Sequence, residues 1–193
     1  GRHRAMSVEL RPTVLKTADG LTLEAEWNLP AEADRRATAV LCHPHPQYGG
    51  TMRSLVISAL FEALPKTGIA CLRFNFRGVE NSEGAYSEGR DEPLDVVAAL
   101  GAAAESDRPT RPLVLVGWSF GGDMALGVDD PRITAWVGIA PPLRFRAERA
   151  YDAVGADARP KGWALAANDE FRTPDEIRRA TRQWTDTQME VMA

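Results

Sequence analysis

Short apolar runs, each followed by a turn signal and then a helical pattern, recur along most of this chain. The runs occupy residues 38–42, 69–74, 112–117, 133–139 and 162–167. Near-continuous apolar segments of this length suit strands of a parallel sheet covered on both faces. Residues 21–27 (Leu-Thr-Leu-Glu-Ala-Glu-Trp) alternate apolar and polar instead, and predict a half-exposed antiparallel edge strand. Between the runs, Leu55, Val56, Ala59, Leu60, Ala63 and Leu64 form a helical stripe that Pro65 and Gly68 stop. Pro93, after Asp91 and Glu92, fits a first helical position, with Leu94, Val97 and Ala98 as the buried face. Thr173-Pro-Asp-Glu176 reads as a capping box, followed by a stripe of Ile177, Ala180 and Trp184. The alternation predicts an α/β fold: an open, doubly wound, mostly parallel sheet with helices on both faces. Sites in such sheets lie beyond the carboxyl ends of the strands, here just after residues 42, 76, 117, 140 and 167.

Composition narrows the picture further. The chain has 193 residues, enough for one domain with a substantial core. Its 27 acidic and 23 basic residues are scattered, with no basic stripe, which argues against a nucleic-acid partner. The apolar runs fall far short of the roughly 20 residues of a membrane span, and no secretory signal pattern opens the chain. Met6 reads as the natural start, with residues 1–5, including His3, as additions ahead of it. Cys42 and Cys71 fall at opposite ends of neighbouring expected strands, a placement that does not suit a disulfide. Two reduced, buried thiols in a cytoplasmic protein is the expectation.

The chemistry-bearing motif is Gly117-Trp118-Ser119-Phe120-Gly121, a Gly-x-Ser-x-Gly directly after a strand and before a helix. There a serine sits on a sharp, strained turn with its hydroxyl lifted above the sheet edge. The N–H of Phe120 can hold a developing oxyanion. A second donor is expected from the loop after the first parallel strand, Cys42-His-Pro-His-Pro-Gln-Tyr-Gly-Gly-Thr-Met52. Proline has no N–H, so His43, His45 and Gln47 are the donors between positions 43 and 47, and His45 is chosen because two prolines fix it. His43 and His45 also admit two other readings, a metal site or a catalytic base. Neither is preferred, since two histidines two apart make a poor ligand set. After the run ending at residue 167 comes Asn168-Asp169-Glu170, where Asp169 is placed to orient an imidazole, with Glu170 as fallback.

With these motifs in order, the chain resembles the α/β-hydrolase superfamily. It is most similar to small, lidless bacterial hydrolases with a His-Pro-His-Pro-x-x-Gly-Gly-Thr-Met loop, related to dienelactone hydrolases. The matching segments are residues 43–52, 72–79 with 82–84, 117–122, 139–142 and 168–170. The resemblance implies a nucleophile at Ser119, an acid at Asp169, oxyanion donors at Phe120 and His45, and no cofactor or metal. Arg77 and its loop support the site in such proteins, and Glu80 stands where they often carry glycine. The larger departure is the base. The superfamily order is Ser, acid, His, yet His3, His43 and His45 all precede Ser119.

Residues 189–193 read as the last strand, which in relatives leads into a loop carrying the histidine and then a terminal helix. The expectation is a single domain over residues 6–193 that lacks this loop and helix because a natural tail is missing from the sequence. Two alternatives stand beside it: a catalytically impaired, scaffolding protein, or a rearranged site with His43 or His45 as base. A missing helix would bare apolar sheet surface and leaves a homo-oligomer open. Only a short insert follows residue 140, so the expected substrate is a small or exposed ester, thioester or lactone. Arg144, Arg146 and Arg149 near that rim read as a solvated run before an anion-attracting one.

Overall fold

The computed structural model describes residues 7–106, 111–170 and 172–193; His3 and the expected start at Met6 lie outside these. One eight-stranded sheet runs in the order β1-β2-β4-β3-β5-β6-β7-β8. Its strands are β1 (Val8–Lys16), β2 (Thr22–Pro30), β3 (Ala37–Cys42), β4 (Ile69–Phe74), β5 (Leu113–Trp118), β6 (Ala135–Ile139), β7 (Lys161–Ala166) and β8 (Thr187–Met192). β1 and β2 pair antiparallel, as do β2 and β4, while β3 to β8 run parallel. The expected edge strand at 21–27 is therefore second from the edge, and β1 lies outside it. Sequence pattern hides β1 because it is half hydrophobic on its solvent side: Val8, Leu10 and Val14 are exposed. Pro12 is tolerated there because an edge strand leaves part of its backbone unpaired.

Helices cover both faces. α1 (Leu55–Ala63) packs Ile57 and Phe61 onto Ala39, Leu41, Cys71 and Val116. On the opposite face lie α2 (Glu92–Ser106), α3 (Phe120–Leu126), α4 (Asp152–Ala156) and α5 (Pro174–Thr181). They bury Leu100, Met124, Val154 and Ile177 against Val40, Leu115, Trp136 and Trp163. Cys42 and Cys71 are free, buried thiols that belong to these two separate cores. On the α1 side, Val114, Trp118, Val137 and Ile139 are only partly covered. Among the described residues no helix is long and apolar enough to cross a membrane.

Three helical faces differ from their expected phase, each for a physical reason. In α1 the buried side is Ile57 and Phe61, and Leu55 is 80% exposed. The stripe through Leu55 and the one through Ile57 share Leu60 and Leu64, so periodicity cannot separate them. Phe61 decides it by packing beneath the Arg73 guanidinium, 3.9 Å from the ring centre. In α2, Val96, Ala99 and Leu100 face the core, with Val97 outside. Glu92 and Asp95 share that buried face, and two carboxylates in an apolar stripe disguise its phase. In α5, Thr173 caps the helix by accepting the Glu176 N–H at 3.2 Å, as the capping signal predicts. Ala180, however, is exposed, and Thr181 turns inward, its hydroxyl donating to the Ile177 carbonyl.

Candidate active site

The sheet reverses its build direction at β3, which has β4 on one side and β5 on the other. Two consecutive βα connections thus leave in opposite directions, and the crevice between them is where open α/β sheets bind ligands. Cys42 at the end of β3 pairs in register with Gly117 near the end of β5. The loop carrying His43 and His45 therefore stands beside the turn carrying Ser119.

That turn is strained. Ser119 has φ 54° and ψ −119°, a backbone conformation that L residues rarely adopt. It is held there by its N–H donating to Ile139 O at 2.8 Å, and by its carbonyl accepting from Gly122 N and Asp123 N. Two glycines make the turn sterically feasible. A Cβ on Gly117 would collide with the Gly121 carbonyl, and one on Gly121 with the Cys42 and His43 carbonyls. α3 is thereby packed directly against the end of β3, with Phe120 at its first position. The first N–H groups of a helix have no partner within it, and that of Phe120 is one of them. Ser119 itself is half-buried.

The neighbouring loop is equally fixed. His45 accepts the Gln47 N–H on Nδ1 at 3.1 Å, and its Nε2 lies 2.9 Å from the Tyr86 hydroxyl. Its carbonyl accepts from Tyr48 N and Gly50 N, closing a tight turn over Pro46–Tyr48. The His45 ring rests 5.2 Å from that of Phe120, so the two residues read as oxyanion donors are neighbours. Burial, together with the Arg144 charge and against that of Glu92, holds His45 below the ordinary imidazole pKa.

His43 is a structural residue. It is fully buried, donates from Nδ1 to Pro44 O at 2.7 Å, and accepts the Phe76 N–H on Nε2 at 3.0 Å. Both ring nitrogens are spent on backbone, tying the loop after β3 to the chain just after β4. Burial pushes its pKa down to about 4, against the Pro44 hydrogen bond. Between about pH 6.5 and 4 the unfolded chain therefore binds a proton that the folded one refuses. Stability is expected to fall by about 3 kcal/mol as pH drops through this window. Urea unfolding at pH 7 and pH 4.5 checks this: His43→Gln, which can still accept the Phe76 N–H, should lose that share of the pH dependence.

Asp169 follows β7 on the same rim as Ser119, two strands along the sheet, or roughly 10 Å in lateral spacing. Its N–H donates to Ala166 O, and its Oδ1 accepts the Arg172 N–H at 3.0 Å, which shapes the turn into α5. Glu170 is exposed. A cleft of about 700 Å³ runs between Leu143, Tyr151 and Asp152 on one side and Arg172, Arg179 and Trp184 on the other. It skirts this rim without including Ser119, Phe120, His45 or Asp169.

The profile of the alpha/beta hydrolase family matches residues 39–192, which takes in most of β3, all of β4 through β8, and Ser119, Phe120, His43, His45 and Asp169. The chain belongs to the alpha/beta hydrolase family. An α/β serine hydrolase homologue from Coxiella burnetii superposes with a TM-score of 0.82 at 28% identity, covering 94% of this chain and 86% of that one. A Xanthomonas campestris protein described as an α/β serine hydrolase without lid gives 0.77 at 26% identity, with 98% and 87% covered. An uncharacterized protein of Rickettsia prowazekii is 35% identical over 107 residues. That match takes in 54% of this chain, and the chain spans about half the length of this curated relative, 45%.

Several groups that order the loops around Ser119 carry no motif. Asp123, buried on α3, accepts the N–H groups of Leu143, Arg144 and Phe145 at 2.7–2.9 Å and pins the segment after β6 in place of a lid. Burial raises its pKa, opposed by those three N–H bonds. Arg77, in the loop after β4, pairs with Asp95 at 2.7 Å and Asp19 at 2.8 Å. Glu92 accepts from Ser87 N, Ser87 Oγ and Gly89 N, ordering the loop that presents Tyr86. No sequence signal marked these acids: Glu92 and Asp95 lie off the face through Leu94, Val97 and Ala98 that the pattern predicts for α2.

Proposed function

We propose that this protein is a serine hydrolase that cleaves a small ester, thioester or lactone through an acyl-enzyme on Ser119. The observation that carries the reading is the Ser119 backbone, held at φ 54° between two glycines that no larger residue can replace. Strain of this kind is kept where the surrounding structure fixes it and function needs it. The Ser119 hydroxyl oxygen attacks the acyl carbonyl carbon, and the carbonyl π pair moves onto oxygen. The N–H groups of Phe120 and His45 hold that oxyanion. The serine proton passes to a base and then to the departing alcohol or thiol as the tetrahedral species collapses. Water then releases the acid by the same steps in reverse.

The rings of His43 and His45 are both engaged elsewhere, so in this reading neither is the base, and Asp169 orients the imidazole that is. The small substrate follows from the short segment after β6, tied down on Asp123. The Coxiella relative, described as a serine hydrolase homologue, and the Xanthomonas one, described as a serine hydrolase without lid, support the reaction class.

Treatment with a fluorophosphonate followed by intact-mass measurement tests the reading. One adduct is expected on the wild type and none on Ser119→Ala; equal labelling of the two would sink it.

A further inference from the structure

We infer that Tyr86 is a positioning residue for the oxyanion site: through its hydroxyl it fixes the His45 imidazole, and through that ring the backbone N–H of His45. The inference rests on the serine-hydrolase reading above and adds a residue to it. The argument starts at the ring. Nδ1 of His45 accepts the Gln47 N–H, so a neutral imidazole carries its proton on Nε2. That N–H then donates to the Tyr86 oxygen, 2.9 Å away. The ring is thus tied at both ends, on one side to the backbone of its own loop and on the other to a different loop. Since a side chain bonded at both ends of its ring has no free rotation about χ1 or χ2, the backbone from which it springs is fixed with it.

Tyr86 can serve as an anchor because its own loop is rigid. Gly78, at φ 78°, passes so close to Ala85 and Tyr86 N that a Cβ would lie under 3.0 Å from both. Just after Tyr86, the buried Glu92 carboxylate gathers Ser87 and Gly89, and the Ser87 hydroxyl accepts the Asp91 N–H. Packing completes the arrangement. The His45 ring centre is 5.0 Å from Tyr86 and 5.0 Å from Phe145, and Phe120 lies 5.9 Å from Tyr86. The ring of one proposed oxyanion residue, Phe120, is thus the floor on which the other is held.

The test uses Tyr86→Phe, which keeps the ring and removes only the acceptor. In wild type, ¹⁵N-resolved imidazole spectra should show His45 neutral with its proton on Nε2; a proton on Nδ1 overturns the inference without reference to activity. Tyr86→Phe should keep its melting temperature and slow phosphonylation of Ser119 by about ten-fold, since small misplacements of catalytic groups cost rates of this order. Any ester turnover should lose kcat with KM unchanged. Labelling of Tyr86→Phe at the wild-type rate overturns this inference and leaves the nucleophile reading intact. Absence of Ser119-dependent labelling in wild type removes both.

Discussion

Replacing Ser119 by glycine is expected to abolish nucleophilic reactivity and, at the same time, make the protein more stable. Labelling by a fluorophosphonate, which reads the serine directly, should disappear, because no hydroxyl remains on the turn. The stability gain comes from φ 54°, ψ −119°. A non-glycine residue in such a region costs on the order of 1–3 kcal/mol. Glycine removes that cost, while its extra freedom in the unfolded chain takes back about 0.5–1 kcal/mol. The net gain is about 1 kcal/mol. Ser119→Ala is the discriminating control: it loses the same labelling but keeps a Cβ on the strained backbone, so it should show no gain. Urea unfolding of the three proteins measures the difference. If the glycine and alanine variants unfold together, the turn does not store strain.

The elements that were legible in the sequence are those whose signal is local. The five apolar runs became β3 to β7 because a strand buried on both faces needs little more than hydrophobicity and a turn at its end. The turn at Ser119 was legible because two steric collisions fix glycine at positions 117 and 121, and that requirement leaves a spaced pattern. Even Glu80, noted as standing where relatives carry glycine, has its physical counterpart: its φ is 44°. β1 escaped because its alternation runs against water instead of a core. The faces of α1 and α2 were misread because phase depends on partners far along the chain. Phe61 needs Arg73, and Asp95 needs Arg77, to be where they are.

The site divides along the same line. Ser119, Phe120 and His45 sit together because β3 and β5 are neighbours, and a reader who infers a doubly wound sheet also infers that adjacency. The roles of the two histidines were not legible. His43 and His45 are two residues apart in the same motif, yet one is sealed in the core between Pro44 and Phe76, while the other holds a surface turn against Tyr86. In a strand, residues two apart would share a face, but the chain leaves β3 at Cys42 and turns at Pro46, so the loops arriving from β4 decide what each ring meets. Asp123 and Glu92 were illegible for a related reason. Each satisfies backbone N–H groups of irregular segments, and such segments have no sequence pattern of their own.

Gly117→Ala should be among the most destabilising single-methyl changes in the molecule, although the backbone at this position is not left-handed. The added Cβ would lie well under 3.0 Å from the Gly121 carbonyl and the Gly122 nitrogen, all of it backbone within the elbow. Backbone cannot swing aside as the end of a flexible side chain can, so relief requires moving α3 away from β5. That movement would pull Met124, Ala125 and Leu126 out of the larger core. Overpacking of this kind costs about 3 kcal/mol or more, which for a chain of this size lowers the melting temperature by roughly 10 °C. Gly162→Ala provides the matched control, because a Cβ there meets nothing within 4 Å and β7 gains a better strand former. Thermal unfolding of the pair isolates close approach from any general intolerance of glycine loss. Equal midpoints for Gly117→Ala and Gly162→Ala would mean that α3 is free to shift, and that the serine turn is held by something other than the contact between these two glycines.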